Sequence, residues 1–87
     1  MPNQKRITMY GTTWCPDCHR SRKFLDERGI PYEWIDVEQD AQAMAYVTQV
    51  NQGQRRVPTI LLPDGSILVE PSDAELGDKL GLRAKTS

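Results

Sequence analysis

Ile7-Thr8-Met9-Tyr10-Gly11-Thr12-Thr13-Trp14-Cys15-Pro16-Asp17-Cys18 is the stretch on which the fold turns. Ile7 to Tyr10 is a short β-prone run, ended by Gly11. Thr12 to Cys15 form a turn. Pro16 then opens a helix at the position where its missing N–H costs nothing. The chain's two cysteines both fall at this strand-to-helix junction, with Pro16 and Asp17 between them. Thiols at that spacing can pass between a dithiol and a small-ring disulfide. A cysteine at the first turn of a helix also lies near unpaired backbone N–H groups and the positive end of the helix dipole. Both favour the thiolate, the nucleophile of thiol–disulfide exchange.

Outward from the junction, the first helix runs to about Arg28 and stops at Gly29, with Pro31 beyond. Cys18, Ser21, Phe24 and Leu25 give it a narrow apolar face. Tyr32 to Val37 reads as a second strand. Asp40 to Val50 reads as a second helix, with Met44, Val47 and Val50 at helical spacing and Gly53 as its stop. Arg55 to Leu62 is a third strand, and Pro63-Asp64-Gly65-Ser66 turns it into Ile67-Leu68-Val69. Ser72-Asp73-Ala74-Glu75 is a capping box opening a last helix lined by Leu76 and Leu80. Gly81 ends that helix, with Leu82 placed to pack back, and a loose tail is expected from Arg83. The order β-α-β-α-β-β-α makes an α/β fold with a four-stranded mixed sheet and three helices on both faces. Its first βαβ unit is parallel and right-handed, and its hairpin supplies the antiparallel pair. The Cys15 turn falls at the carboxyl end of the first strand, where open α/β sheets place their sites.

The chain has 87 residues and reads as one domain spanning residues 1–87. Its formal charge of −1, from 11 Lys+Arg and 12 Asp+Glu, provides no field that would draw it to nucleic acid or a membrane. The sequence has no apolar stretch long enough for a secretion signal or a membrane span, so a cytoplasmic monomer is expected. In that compartment disulfides are usually transient and catalytic. A Cys15–Cys18 bond would also be a poor staple, because the loop it closes is too short to restrict the unfolded chain much.

Cys15-Pro16-Asp17-Cys18-His19 also spells the c-type haem attachment pattern. Haem attachment calls for export, and the strand–helix context is wrong for it. Zinc would have only Cys15, Cys18 and His19, which cannot easily wrap one tetrahedron from a single helix. No metal and no bound cofactor is therefore expected. Asp17 reads either as a carboxylate tempering the thiols or as a solvated first-turn acid that suits the helix dipole. The blander alternatives are Cys18 as a small buried apolar residue, Trp14 as a half-buried ring, and Pro58 as a plain strand-entry proline.

These residues resemble the glutaredoxin branch of the thioredoxin superfamily, and within it the mycoredoxin-type members. The likeness covers about residues 5 to 82. It rests on Met9-Tyr10, Trp14-Cys15-Pro16-Asp17-Cys18, Val57-Pro58-Thr59 and Asp64-Gly65-Ser66. It implies a thioredoxin-like fold and a thiol–disulfide oxidoreductase. Cys15 would be the exposed nucleophile and Cys18 the more buried resolving thiol. Trp14 and Pro16 would border the sulfur, and Pro58 would follow a cis peptide bond. The Val57 backbone would pair with an extended thiol substrate as an added strand does. Ser72 and Asp73 would hold the charged end of glutathione. Read from the residues themselves, one of Arg55 and Arg56 could meet a carboxylate of the thiol ligand, or both could be solvated charges.

Three departures touch the glutathione site. Thr12 stands where a lysine is common, Arg56 where a threonine is common, and Glu70-Pro71 where Gly-Gly is usual. The expected co-substrate is thus a low-molecular-weight thiol, mycothiol or glutathione, and the expected clients are S-thiolated or disulfide-bonded proteins. Two rivals stand beside this reading. One is a redoxin fed by thioredoxin reductase and serving ribonucleotide reductase. The other is a carrier bridging an iron–sulfur cluster in a dimer, against which the stiff Pro16 argues.

Overall fold

The computed structural model describes residues 6–81. In chain order it contains β1 (Ile7–Gly11), α1 (Pro16–Glu27), β2 (Tyr32–Asp36), α2 (Ala41–Val50), β3 (Thr59–Leu61), β4 (Ile67–Val69) and α3 (Asp73–Lys79). The expectations for Leu82 and for the tail from Arg83 lie outside the described residues.

The strands form one sheet in the order β2-β1-β3-β4. β1 runs parallel to β2, with Met9 opposite Trp34. It runs antiparallel to β3, with Met9 opposite Ile60, and β3 pairs antiparallel with β4. The period-two alternation of side chains sends β1 into two apolar layers. Ile7 and Met9 join Phe24 and Leu25 of α1, Ile60, Leu62 and Leu76 of α3 in one cluster. Tyr10 and Ile35 pack with Val37 and with Ala43 and Val47 of α2 in the other. The helices therefore cover both faces, and β1 lies between two neighbours with its carboxyl end leading into α1.

Helix ends follow the side chains that satisfy them. Asp40 caps α2, accepting the Gln42 and Ala43 N–H groups at 3.1 and 3.0 Å. Ser72 and Glu75 close a reciprocal capping box on α3. Gly29 adopts φ 66°, a left-handed conformation. It lets the Ile30 N–H reach the Leu25 carbonyl at 3.0 Å and close α1.

β3 departs most from expectation: pairing begins at Thr59 instead of Arg55. Pro58 has no N–H to contribute to a ladder. The Thr59 hydroxyl donates back to the Arg56 carbonyl at 2.7 Å and accepts from the Asn51 amide at 3.2 Å. Residues 54 to 58 are thus a connection that delivers Val57 to the end of β1, and the strand proper is shorter. β2 likewise stops at Asp36, one residue early, where the Asp36 carboxylate accepts the Glu38 N–H at 2.9 Å.

Candidate active site

The site is assembled where β1 gives way to α1. Cys15 is the N-cap of α1, with extended backbone angles of φ −86° and ψ 118°, and Pro16 follows at the first helical position. The Cys18 backbone N–H points at the Cys15 sulfur, 3.4 Å away. This is the capping bond that a serine or aspartate oxygen would ordinarily accept, made here to sulfur. A negative sulfur at this place strengthens the bond and meets the helix's unpaired donors.

The two thiols differ in access. Cys15 is 7% exposed and Cys18 not at all. Cys15, expected as an exposed thiol, is instead buried, with slightly more access than Cys18. The reason is the connection before β3: the Cys15 thiol points at the Val57 carbonyl, 3.8 Å from Sγ. Both cysteines are free thiols. Burial pushes the Cys18 thiol up from an ordinary 9.0 to about 12, and the sulfur of Cys15 and the carboxylate of Asp17 add to that, while the Thr12 backbone N–H acts the other way.

The Val57–Pro58 peptide bond is cis, and Pro58 is fully buried. The Val57 carbonyl, just before this cis bond, lies beside the Cys15 sulfur. Trp14 is 60% exposed, and its indole N–H donates to both carboxylate oxygens of Glu38 at 3.1 Å. It stands out beside Cys15 as a plate fixed at one edge. His19, the next residue after Cys18, ties its Nε2 to the Thr13 carbonyl and so pins the turn that precedes Cys15.

The residues expected to hold a charged ligand are largely engaged within the protein. The Ser72 hydroxyl accepts the Glu75 N–H at 3.1 Å, and the Glu75 carboxylate accepts the Ser72 N–H at 2.9 Å. Asp73 faces Arg20 at 3.7 Å, and the same guanidinium holds Asp17 at 3.1 Å. Arg20 so ties the start of α1 to the start of α3. Arg56 pairs with Glu70 at 3.5 Å, and Arg55 is exposed. Among the described residues, no three His, Cys, Asp or Glu side chains gather as a metal site.

One residue of the site was read only as a strand stop. A Cβ on Gly11 would lie 2.6 Å from the Cys18 sulfur and 2.8 Å from the Trp34 ring. Gly11 is thus the bare surface against which the buried thiol rests. Nothing in the local pattern distinguishes that role from a turn glycine, because it depends on α1 folding back over β1.

A four-stranded mixed sheet flanked by helices, with paired cysteines at a helix start beside a buried cis-proline, defines a thiol–disulfide oxidoreductase of thioredoxin-like fold. The glutaredoxin family model matches residues 7–67, and the chain belongs to that family. It is 43% identical over 74 residues to mycoredoxin 1 of Corynebacterium glutamicum, covering 85% of this chain and 91% of that protein. It is 30% identical over 59 residues to the glutaredoxin-like protein NrdH of Escherichia coli, covering 68% of this chain and 70% of that one. Among solved structures, a mutant of the thioredoxin-like protein BC3987 superposes with a TM-score of 0.76 at 26% identity, covering 92% of this chain and all of that one, 100%. A glutaredoxin from Archaeoglobus fulgidus superposes with a TM-score of 0.72 at 22% identity, covering 90% of this chain and 88% of that one. Among the described residues, no helix is long and apolar enough to cross a membrane.

Proposed function

We propose that the protein, working as a cytoplasmic monomer, reduces mixed disulfides between proteins and a low-molecular-weight thiol, mycothiol or glutathione. Cys15 is the attacking sulfur and Cys18 the resolving one. The observation that carries this is the asymmetry of the pair. One sulfur is a helix N-cap that keeps some access. The other is sealed and held as a thiol by burial.

The chemistry is two exchanges. The Cys15 thiolate attacks the small-thiol sulfur of the adduct. A Cys15–small-thiol bond forms, the old disulfide breaks, and the protein sulfur leaves and takes up a proton. A second small thiol then attacks the sulfur now on Cys15 and departs as the symmetric disulfide, returning the Cys15 thiolate. In the other branch, Cys18 attacks Cys15, its proton passes to the departing small thiol, and a Cys15–Cys18 disulfide is left for reduction. The high Cys18 value favours the first branch, since little thiolate exists there at neutral pH. Trp14 and Pro16 border the sulfur, and the Val57 backbone aligns the substrate as an added strand. Ser72, Asp73 and Arg55 complete the ligand surface, with Asp73 and Ser72 already committed to Arg20 and Glu75.

The test is a coupled assay offering mycothiol with its reductase, glutathione with its reductase, or thioredoxin reductase as electron source. Turnover with a small thiol is expected, and turnover with thioredoxin reductase alone would overturn the proposal. That last outcome belongs to the second reading, a redoxin donating to ribonucleotide reductase. The 30% identity to the protein named NrdH favours that reading.

A further inference from the structure

We propose that Glu70 is a positioning residue that holds the Val57 main chain opposite the Cys15 sulfur. The inference rests on the reading of Val57 as the edge along which a substrate aligns.

Val57 is the middle of Arg56-Val57-Pro58, and Glu70 grips the residue on either side of it. Its backbone N–H donates to the Pro58 carbonyl at 2.9 Å. That bond carries the pairing of β3 with β4 one residue past Thr59 and Val69. The Glu70 carboxylate pairs with the Arg56 guanidinium at 3.5 Å. Arg56 also donates to the Gln54 side chain at 3.1 Å, so the connection before β3 is gathered onto the end of β4. Between the two points of attachment, the Val57 carbonyl faces the Cys15 sulfur at 3.8 Å.

The backbone of Glu70 argues the same way. It adopts φ 50°, a left-handed conformation that glycine takes at no steric cost and glutamate takes against its preference. The turn out of β4 would be served better by glycine. What glycine lacks is the carboxylate, and that carboxylate is the outer half of the grip on Val57. Backbone strain of this kind gathers where a residue is held for a task. Both side chains of the pair are partly exposed, so the pair adds little to stability. Its effect is on placement. The Thr59 hydroxyl fixes the Arg56 carbonyl at 2.7 Å, which leaves the guanidinium side of the connection to Glu70.

The experiment uses the reduced protein in single turnover against two uncharged disulfides. One is the symmetric disulfide of a blocked Gly-Cys-Gly peptide. The other is bis(hydroxyethyl) disulfide, which has no main chain to pair with Val57. In each case the Cys15 thiolate bonds to one sulfur, the substrate disulfide breaks, and the other half leaves, takes up a proton and is measured as free thiol. The wild type is expected to half-saturate at a lower concentration of the peptide disulfide. Glu70→Gln should raise that concentration about two- to fivefold, the equilibrium worth of an exposed ion pair. The plateau rate and the behaviour toward bis(hydroxyethyl) disulfide should stay at wild type. Arg56→Gln should do the same, and the double variant should be no worse than either single one, because both act through one pair. Glu70→Gly should weaken the peptide disulfide as much while leaving Tm at or above the wild-type value, since it relieves the backbone as it removes the carboxylate. A wild-type peptide value in Glu70→Gln, an equal shift for both disulfides, single effects that multiply, or a lowered Tm in Glu70→Gly would each overturn the inference while alignment along Val57 stands. If the wild type takes the peptide disulfide no better than the short one, that alignment falls and the inference with it.

Discussion

The sulfur of Cys15 receives the backbone N–H of Cys18 at 3.4 Å, so the nucleophile is capped by the residue that carries the second thiol. The bond is to the Cys18 main chain, not its side chain. Replacing the Cys18 sulfur should therefore leave the cap, and the attack by Cys15, largely in place. Cys18→Ser is expected to keep at least about a tenth of the wild-type rate on small-thiol adducts, a loss below about 1.4 kcal/mol in barrier. Cys15→Ser should abolish exchange altogether. The two rates are read from peptide-thiol release, and a Cys18→Ser variant silent towards small-thiol adducts would contradict the order of the two thiols.

Cys18 titration provides a pH test with a definite sign. Its folded value, about 12, is raised above the ordinary 9.0 by burial. The fold therefore prefers the protonated thiol. The stability this confers is complete below the unfolded value and is lost as pH rises through the folded one. Between about pH 9 and pH 12 the wild type should lose more unfolding free energy than Cys18→Ala does, read by urea titration in parallel. In the native state at pH 8, iodoacetamide should label Cys15 and spare Cys18, as peptide mass spectrometry would show. Equal labelling of both would contradict the burial.

Gly11 is required by close approach, since its φ does not lie in the left-handed region. An added methyl would meet the Cys18 sulfur at 2.6 Å and the Trp34 ring at 2.8 Å. The Cys18 sulfur is fully buried, so making room for the methyl means shifting it. Gly11→Ala should destabilise the domain by about 1–3 kcal/mol, the usual range for overpacking. In a domain of this size that lowers Tm by roughly 4–8 °C per kcal/mol. It should also speed alkylation of Cys18, because the buried thiol is what the methyl displaces. An unchanged Tm would show that the β1–α1 contact is looser than these distances.

The difference between Gly11 and Cys15 marks what could be read from the chain. Element order, the mixed sheet, the capping box at Ser72 and the place of Cys15 all depend on local signals: periodicity, caps and turn residues. They were legible. The start of β3 was not, because Thr59 is claimed by Arg56 and Asn51, and Asn51 comes from the end of α2. Glu38 was silent for the same reason, as its partner Trp14 lies 24 residues away. Arg20 resembled any exposed helix cation until α3 brought Asp73 to it. What escaped the sequence was contact between elements, which no window along the chain contains.

The Asn51–Thr59 pair positions the Val57 segment and is open to a direct test. The Asn51 amide donates to the Val47 carbonyl at 2.8 Å and to the Thr59 hydroxyl at 3.2 Å. The Thr59 hydroxyl in turn donates to the Arg56 carbonyl at 2.7 Å. Both side chains are buried, so removing one leaves the other's polar atom short of a partner, at about 1–3 kcal/mol. Thr59→Val keeps shape and removes the hydroxyl. It should lower stability by that amount and loosen residues 54 to 58. Because Val57 borders the Cys15 sulfur, the looser segment should raise KM for peptide adducts more than it lowers kcat, since alignment and not attack is weakened. Thr59→Ser, which restores the hydroxyl, should recover most of the KM. A Thr59→Val enzyme with a normal KM would mean that the connection holds its place without this chain of hydrogen bonds.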